Sequence, residues 1–139
     1  MLIDLQPFVG ASVRSVEKVD YSWFFRFGES LSIVTESPWR LITPERFVVA
    51  AEDHGQQFGL PKPVDAAECV TARLGTLVVR SFRIDEPTGD LFLYFEEKLY
   101  LQLLQLSAGY ESWRASTGLG EVICTGGGEI VCIPATENR

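Results

Sequence analysis

Apolar and polar residues alternate along two neighbouring stretches of this chain, which is the pattern of β-strands with one buried face. Every second residue from 91 to 95, and again from 99 to 103, is Leu or Phe. A short loop centred on Glu97 would place Leu93 opposite Leu101, so the buried face would continue from one strand to the next. The pattern therefore predicts a β-hairpin.

This hairpin belongs to a longer stretch, residues 75–114, and a shorter version of that stretch occurs at residues 10–40. Each version ends in a Trp-Arg pair, at Trp39 and at Trp113. The apolar positions correspond as follows: Trp23 with Leu91, Phe25 with Leu93, Phe27 with Phe95, Leu31 with Leu99 and Ile33 with Leu101. Two copies of a three-strand unit are too few for a solenoid and predict one domain of two related halves.

The second copy carries three extra residues in its first turn, where Pro87-Thr88-Gly89 occurs. Pro presets the backbone at a turn, and Gly supplies the positive φ that closes it. In the first copy we assign the same role to Gly28-Glu29.

The other elements are less regular. Residues 11–20 fit a strand or a helix, because three valines recur at a spacing of three, and the repeat favours a strand. Residues 44–53 are also ambiguous, and we favour a strand. Further strands are expected at 21–27 and 31–35 as a hairpin, at 39–43 as a continuation of the sheet, and at 121–134 as a C-terminal hairpin.

Two glycines and two prolines make residues 54–63 an irregular connector between the halves. A short helix is predicted over residues 65–74. Asp65 would be its N-cap, with Glu68 as capping-box partner, and Gly75 would end it.

With 139 residues, 46% of them hydrophobic, the chain has the size and core of a single domain, residues 1–139. The expected fold class is mainly β (α+β): an antiparallel meander of six to nine strands, built from a duplicated three-strand unit, with one or two short helices. The start lacks a secretory pattern, and no run approaches the roughly 20 apolar residues of a spanning helix. We therefore expect a cytoplasmic protein without a membrane partner.

Net charge is −7, and it is concentrated in the second half of the chain. Residues 85–137 hold nine acids and only two bases, Lys98 and Arg114. A negative field repels nucleic acid and speeds encounter with basic partners, although solubility alone is an alternative reason for it.

Neither the cysteines nor the histidine indicates a metal or cofactor site. Cys124 and Cys132 flank a Gly-rich turn and, with a two-residue loop, would point to opposite faces, too badly aimed for a disulfide. Cys69 falls in the predicted helix. His54 stands beside two acids, which fits a metal or acid–base site, but a solvated loop residue is the favoured interpretation.

Three other patterns have structural interpretations that we favour over chemical ones. Glycines at 118–120 and 126–128 fit hairpin turns better than a phosphate cradle, which needs a following helix. The pairs Asp85-Glu86 and Glu96-Glu97 fit solvated turns better than a glycosidase or calcium site. A third set fits a core better than a base-stacking platform: Trp23, Phe25, Phe27, Phe92, Tyr94 and Tyr100. No catalytic residue is predicted.

Three motifs carry a resemblance to a known family: Thr88-Gly89-Asp90-Leu91, Tyr110-Glu111-Ser112-Trp113 and the late Gly126-Gly-Gly-Glu-Ile130. They resemble a small bacterial family of uncharacterised domains, whose members are similar to proteins found among immunity genes of toxin systems, including contact-dependent inhibition. Thr125 stands where that family usually has Pro. The resemblance implies an immunity function and identifies no active site.

The leading hypothesis is a non-enzymatic protein-binding module, most concretely an immunity protein that occludes a basic toxin domain. The candidate partner-binding residues are Glu86, Asp90, Glu96, Glu97, Glu111 and Glu121. One alternative is a small-molecule-binding domain or enzyme with a pocket near His54. Another is a self-associating module that pairs through open sheet edges.

Overall fold

The structure is a computed structural model that describes residues 4–135 of the chain. Within these residues there are eleven β-strands and one α-helix. The strands are β1 (Ser15–Val19), β2 (Ser22–Arg26), β3 (Ser32–Thr35), β4 (Trp39–Ile42), β5 (Phe47–Ala50), β6 (Val79–Ile84), β7 (Leu91–Phe95), β8 (Tyr100–Leu103), β9 (Trp113–Thr117), β10 (Gly120–Cys124) and β11 (Ile130–Pro134), and the helix is α1 (Ala66–Leu74). The fold is mainly β, as predicted.

The strands form two antiparallel sheets rather than one meander of six to nine strands. The first sheet has the order β1-β2-β3-β9-β10-β11, and the second has the order β5-β4-β8-β7-β6. A single open sheet would leave its apolar face in water, whereas two sheets bury their inner faces against each other.

The strand order follows the same pattern in the two stretches predicted to be copies. Each copy forms a three-strand meander, β1–β3 or β6–β8, and its next strand then crosses to the other sheet. Trp39 opens β4 opposite Leu103 of β8, and Trp113 opens β9 opposite Thr35 of β3. The halves thus exchange strands: β4 joins the second sheet and β9 joins the first. The prediction that residues 39–43 continue the first sheet is wrong, because β4 pairs with the second copy instead.

The register of the central hairpin is as predicted. Leu93 pairs with Leu101 and Leu91 with Leu103, and Glu97 at φ 60° makes the turn between them. The prediction that Gly28-Glu29 forms the turn equivalent to Pro87–Gly89 is wrong, because Gly28 and Glu29 join β2 to β3. The equivalent turn, between β1 and β2, is made by Asp20 at φ 55°.

The core lies between the sheets, with α1 packed at one edge against β1 and β5. Trp39 meets the rings of Trp23 and Phe25 edge-on, at centroid distances of 5.0 and 5.2 Å. Helix α1 begins as predicted, because the Asp65 carboxylate accepts the backbone N–H of Glu68 at 3.0 Å. Its buried residues are Ala66, Val70 and Leu74.

The C-terminal hairpin forms, but its loop has five residues rather than two. Cys124 pairs with Ile130, and Cys132 pairs with Val122, so the two cysteines lie on the same face of the sheet. The prediction of opposite faces is wrong, because it assumed the shorter loop and thereby shifted the register by one residue.

Candidate functional site

The two connections that cross between the sheets run side by side and enclose a cleft. They are residues 36–38, from β3 to β4, and residues 104–112, from β8 to β9. Because β3 pairs with β9 and β4 with β8, the two crossings lie next to each other, and both contribute to the lining of the cleft. The cleft has a volume of about 670 Å³. Its lining residues are Val34, Thr35, Glu36, Ser37, Pro38, Leu106, Ser107, Tyr110, Glu111, Ser112 and Arg114.

The longer connection is held by one buried side chain, Gln105. Its amide nitrogen donates to the carbonyl oxygens of Tyr110 at 3.1 Å and Thr125 at 2.9 Å. Its amide oxygen accepts the backbone N–H of Ser107 at 2.8 Å, and the Gln105 backbone N–H reaches the Asp90 carboxylate at 2.7 Å. The 104–112 connection, the Asp90 carboxylate and the Thr125 carbonyl therefore meet at Gln105, which fixes the wall of the cleft.

Glycines allow three loops to pack closely behind that wall. A Cβ on Gly126 would lie 2.5 Å from the carbonyl carbon of Gly109, and one on Gly89 would lie 2.6 Å from the Cys124 sulfur. The glycines at 126–128 form the β10–β11 turn, as expected, and they also serve this close contact.

Arg114 forms the charged floor of the cleft. Its guanidinium contacts the Glu111 carboxylate at 3.3 Å and the Glu121 carboxylate at 3.1 Å. The hydrogen bond that the Arg114 guanidinium donates to Glu111, with the negative charges of both carboxylates, raises the pKa of Arg114 against the opposing effect of partial burial. Because these side chains are partly exposed, the pairs orient Arg114 more than they stabilise the fold.

The rim of the cleft combines apolar and acidic side chains. Tyr110 is 81% exposed and Leu106 is 72% exposed, although both belong to the rigid 104–112 connection. Opposite them, Glu36 is exposed on the shorter crossing, and it has no ion-pair partner among residues 4–135. A ligand or partner segment bound at this rim would therefore contact apolar surface and negative charge together.

The six predicted partner-binding acids fall into two groups. Glu111 lines the cleft, Glu121 reaches it through Arg114, and Asp90 supports its wall through Gln105. Glu86 precedes Pro87, which lines a smaller groove together with Leu106, and so it lies beside the cleft.

The other group, Glu96 and Glu97, lies at the far end of β7. Glu96 accepts the backbone N–H of Val78 at 2.9 Å, which is a structural use. Sequence reasoning missed Glu36 and Gln105, because a single acid or amide in a short polar loop has no periodic signal.

His54 has a structural role instead of lining a pocket. Its Nδ1 accepts the backbone N–H of Ala66 at 3.1 Å, and its ring packs edge-on against Trp23 with centroids 5.2 Å apart. It thereby ties the connector to the first turn of α1. The cleft and two smaller grooves of the described residues are all lined by other residues.

The aromatic set divides between the core and the outer face of the second sheet. Trp23, Phe25 and Phe27 are buried in the core, as expected. Phe92 and Tyr94 face outward with the Arg83 guanidinium above them, 4.9 and 5.9 Å from the ring centroids. Phe92 is nonetheless buried, at 8% exposed, as expected of a core residue, whereas Tyr94 and Tyr100 are half-buried on that face. The outward placement follows from the register of β7, whose leucines face inward.

Two further features bear on chemistry. In residues 4–135, no group of three or more His, Cys, Asp or Glu side chains is arranged to hold a metal ion. The same part of the chain has no helix that combines the length and the apolar character needed to cross a bilayer.

Comparison of the chain with protein-family models, with curated proteins and with solved structures finds no match.

Proposed function

We propose that this protein is a non-enzymatic protein-binding module, and that the cleft between the crossing connections holds a segment of a basic protein partner. The observation that carries the proposal is the exposure of Tyr110 and Leu106 on a rigid wall. Protein interfaces are enriched in tyrosine, and their strongest contacts are aromatic anchors surrounded by a polar rim. The Tyr110 backbone is held before binding by hydrogen bonds with the Gln105 and Ser107 side chains, so binding must order only the tyrosine side chain.

Charge favours a basic partner. The chain has a net charge of −7, and Glu36 stands on the cleft rim without an ion pair in the described structure. The resulting negative potential accelerates encounter with positive proteins and disfavours nucleic acid. A lysine or arginine of the partner that enters the cleft would meet Glu36 on one side and the Tyr110 ring on the other.

The most concrete form of this proposal is an immunity protein that binds and neutralises a toxin domain. It is supported by the three motifs of the family resemblance, since all of them contribute to the cleft or its frame. Residues 110–113 form part of its wall, and the turns at 88–91 and 126–130 pack behind that wall. On this proposal the three motifs consist of residues that shape a binding surface, and they contain no catalytic residues.

Co-expression tests this function directly. The protein is expressed with the product of the gene immediately upstream, with and without the substitution Tyr110→Ala, and growth and copurification at moderate salt are measured. We expect rescue of growth and a stable complex with the unchanged protein, and loss of both with Tyr110→Ala. Absence of toxicity and of a complex would contradict the proposal.

A second candidate function is binding of a small molecule, because about 670 Å³ lies within the usual range of ligand pockets. We place this alternative in the cleft, because His54 is absent from its lining and is engaged by Ala66 and Trp23. Native mass spectrometry of the purified protein distinguishes the two functions, since a copurifying ligand that is lost with Tyr110→Ala would favour the small molecule.

A further inference from the structure

The connector forms a closed loop that projects from the fold. All residues from 55 to 63 are exposed. The base of the loop is closed by two backbone hydrogen bonds of 2.8 Å, from Gly55 N–H to the Val64 oxygen and from Val64 N–H to the Gln56 oxygen. The loop therefore has joined ends and a defined shape, as in an Ω-loop.

The tip of this loop is also ordered by hydrogen bonds. Leu60 N–H donates to the Gln57 oxygen at 2.8 Å, and the Gln57 side-chain amide donates to the Leu60 oxygen at 2.9 Å. Between them, Phe58 and Gly59 both have positive φ, 50° and 75°. Two successive positive φ values are the signature of a type I′ turn.

Phe58 is the wrong residue for that turn. The first central position of a type I′ turn favours Asn, Asp or Gly, and a bulky residue is strained there. The ring is 67% exposed, and Leu60 beside it is 49% exposed. No aromatic or cation–π contact of Phe58 occurs within residues 4–135. The fold thus holds an apolar tip in water against local preference, which is typical of functional positions.

We infer that the loop of residues 55–63 is a second anchor, which inserts Phe58 and Leu60 into an apolar socket on a protein partner with a basic rim. Lys62 is the only base of the loop, whereas four acids flank its base: Glu52, Asp53, Asp65 and Glu68. The excess of negative charge near the base of the loop fits a basic rim and opposes an anionic bilayer. The inference rests on the proposed function only in assuming a protein partner, and it does not require the cleft.

In-cell photo-crosslinking separates the loop from the cleft. Benzoylphenylalanine is placed at position 58, at position 110 in the cleft, or at position 119, where Leu119 is 63% exposed in the β9–β10 turn and serves as control. Captured proteins are identified by mass spectrometry. We expect positions 58 and 110 to capture the same protein, and position 119 to capture little of it.

The captured protein is then purified and its affinity measured by calorimetry. Phe58→Gly should weaken binding roughly 30-fold, the effect of losing one interface anchor. The same substitution should leave the melting temperature unchanged or higher, because glycine tolerates positive φ. Leu119→Ala should change affinity by less than about twofold, as expected away from an anchor.

The other crosslinking and affinity results distinguish the loop anchor from the cleft. Capture at position 110 but not at 58 overturns the loop anchor and leaves the proposed function intact. Capture at 58 but not at 110 supports the anchor and overturns the cleft. Capture of lipid at 58, capture of nothing at 58, or wild-type affinity of Phe58→Gly overturns the anchor.

Discussion

The indole N–H of Trp113 donates a buried hydrogen bond of 2.8 Å to the carbonyl oxygen of Gly89. Trp39 occupies the equivalent place in the first copy, yet its buried indole N–H has no acceptor within residues 4–135. The difference arises in the turns. Gly89 lies in the β6–β7 turn, residues 85–90, whereas the corresponding β1–β2 turn of the first copy has only residues 20–21. Two tryptophans with one topological role thus differ in hydrogen bonding.

This difference predicts unequal effects of two matched substitutions. Trp39→Phe removes packing and an unpaired N–H, whereas Trp113→Phe also leaves the Gly89 carbonyl without its partner. We expect Trp113→Phe to lower the free energy of unfolding by about 1–3 kcal/mol more than Trp39→Phe. Equilibrium denaturation in urea measures both, and equal losses would contradict the structural account.

Gly89→Ala and Gly10→Ala separate backbone strain from steric contact. Both glycines have positive φ, 80° and 91°, but a Cβ on Gly10 would meet nothing within 4 Å, whereas one on Gly89 would lie 2.9 Å from the Gly128 Cα. Gly10→Ala should cost about 1–2 kcal/mol, the strain of the left-handed region. Gly89→Ala should cost about 1–3 kcal/mol beyond that, because the loops must separate. Calorimetric melting checks the order, which would be reversed or absent if the three loops were not packed together.

Gln105→Ala tests the frame of the cleft. It removes the amide that joins Tyr110, Thr125 and Ser107, so we expect a loss of about 1–3 kcal/mol and faster proteolysis within residues 104–112. Gln102→Ala is the control, because the Gln102 side chain bonds only Arg40 on the partly exposed outer face of the second sheet. That control should cost no more than about 1 kcal/mol. Similar effects of both substitutions would show that Gln105 is not a frame residue.

Two thiols predict a pH dependence. Burial, as the largest cause, raises the pKa of Cys124 above its ordinary value of 9.0, and burial with three nearby acids does the same for Cys69. A thiol whose folded pKa is raised stabilises the fold fully below the unfolded pKa, and this stabilisation is lost as pH rises toward the folded value. Stability should therefore fall above about pH 9, the ordinary range of thiol ionisation. Cys124→Ala combined with Cys69→Ala should flatten that decline, and an unchanged slope would refute its assignment to the thiols.

Local pattern predicted the elements, and it also predicted one register. Leu93 faces Leu101 because a period of two and a short loop leave few other pairings that keep the leucines on one side. The N-cap at Asp65 was predicted in the same way, from the three-residue spacing of Asp65 and Glu68. In the structure the Asp65 carboxylate accepts the backbone N–H of Glu68. Such features depend on residues a few positions apart, which a single sequence displays.

Longer-range relationships could not be read in this way. The pairing of Trp39 with Leu103 joins residues from the two copies, and nothing in the segment 39–43 distinguishes it from a continued meander. The cleft exists only because of that exchange, so its position was not predictable either. The face predicted for Cys132 was wrong for a more local reason. An error of one residue in the hairpin register moves every side chain of the second strand to the opposite face of the sheet.

The most direct test of the cleft as a site for a basic partner is the association rate with the product of the upstream gene, measured by stopped flow at several salt concentrations. The first variant carries Glu36→Lys and Glu86→Lys, beside the cleft. The control carries Glu45→Lys and Glu97→Lys, which change net charge equally at the far end of the second sheet.

We expect the first pair to slow association about tenfold or more and to weaken its salt dependence, as loss of local electrostatic steering does. The control pair should slow it less than about threefold at physiological salt, because its charges lie at the opposite end of the β4–β8 pair and are screened over about 8 Å. Equal effects of the two pairs, or none from the first, would contradict binding at the cleft.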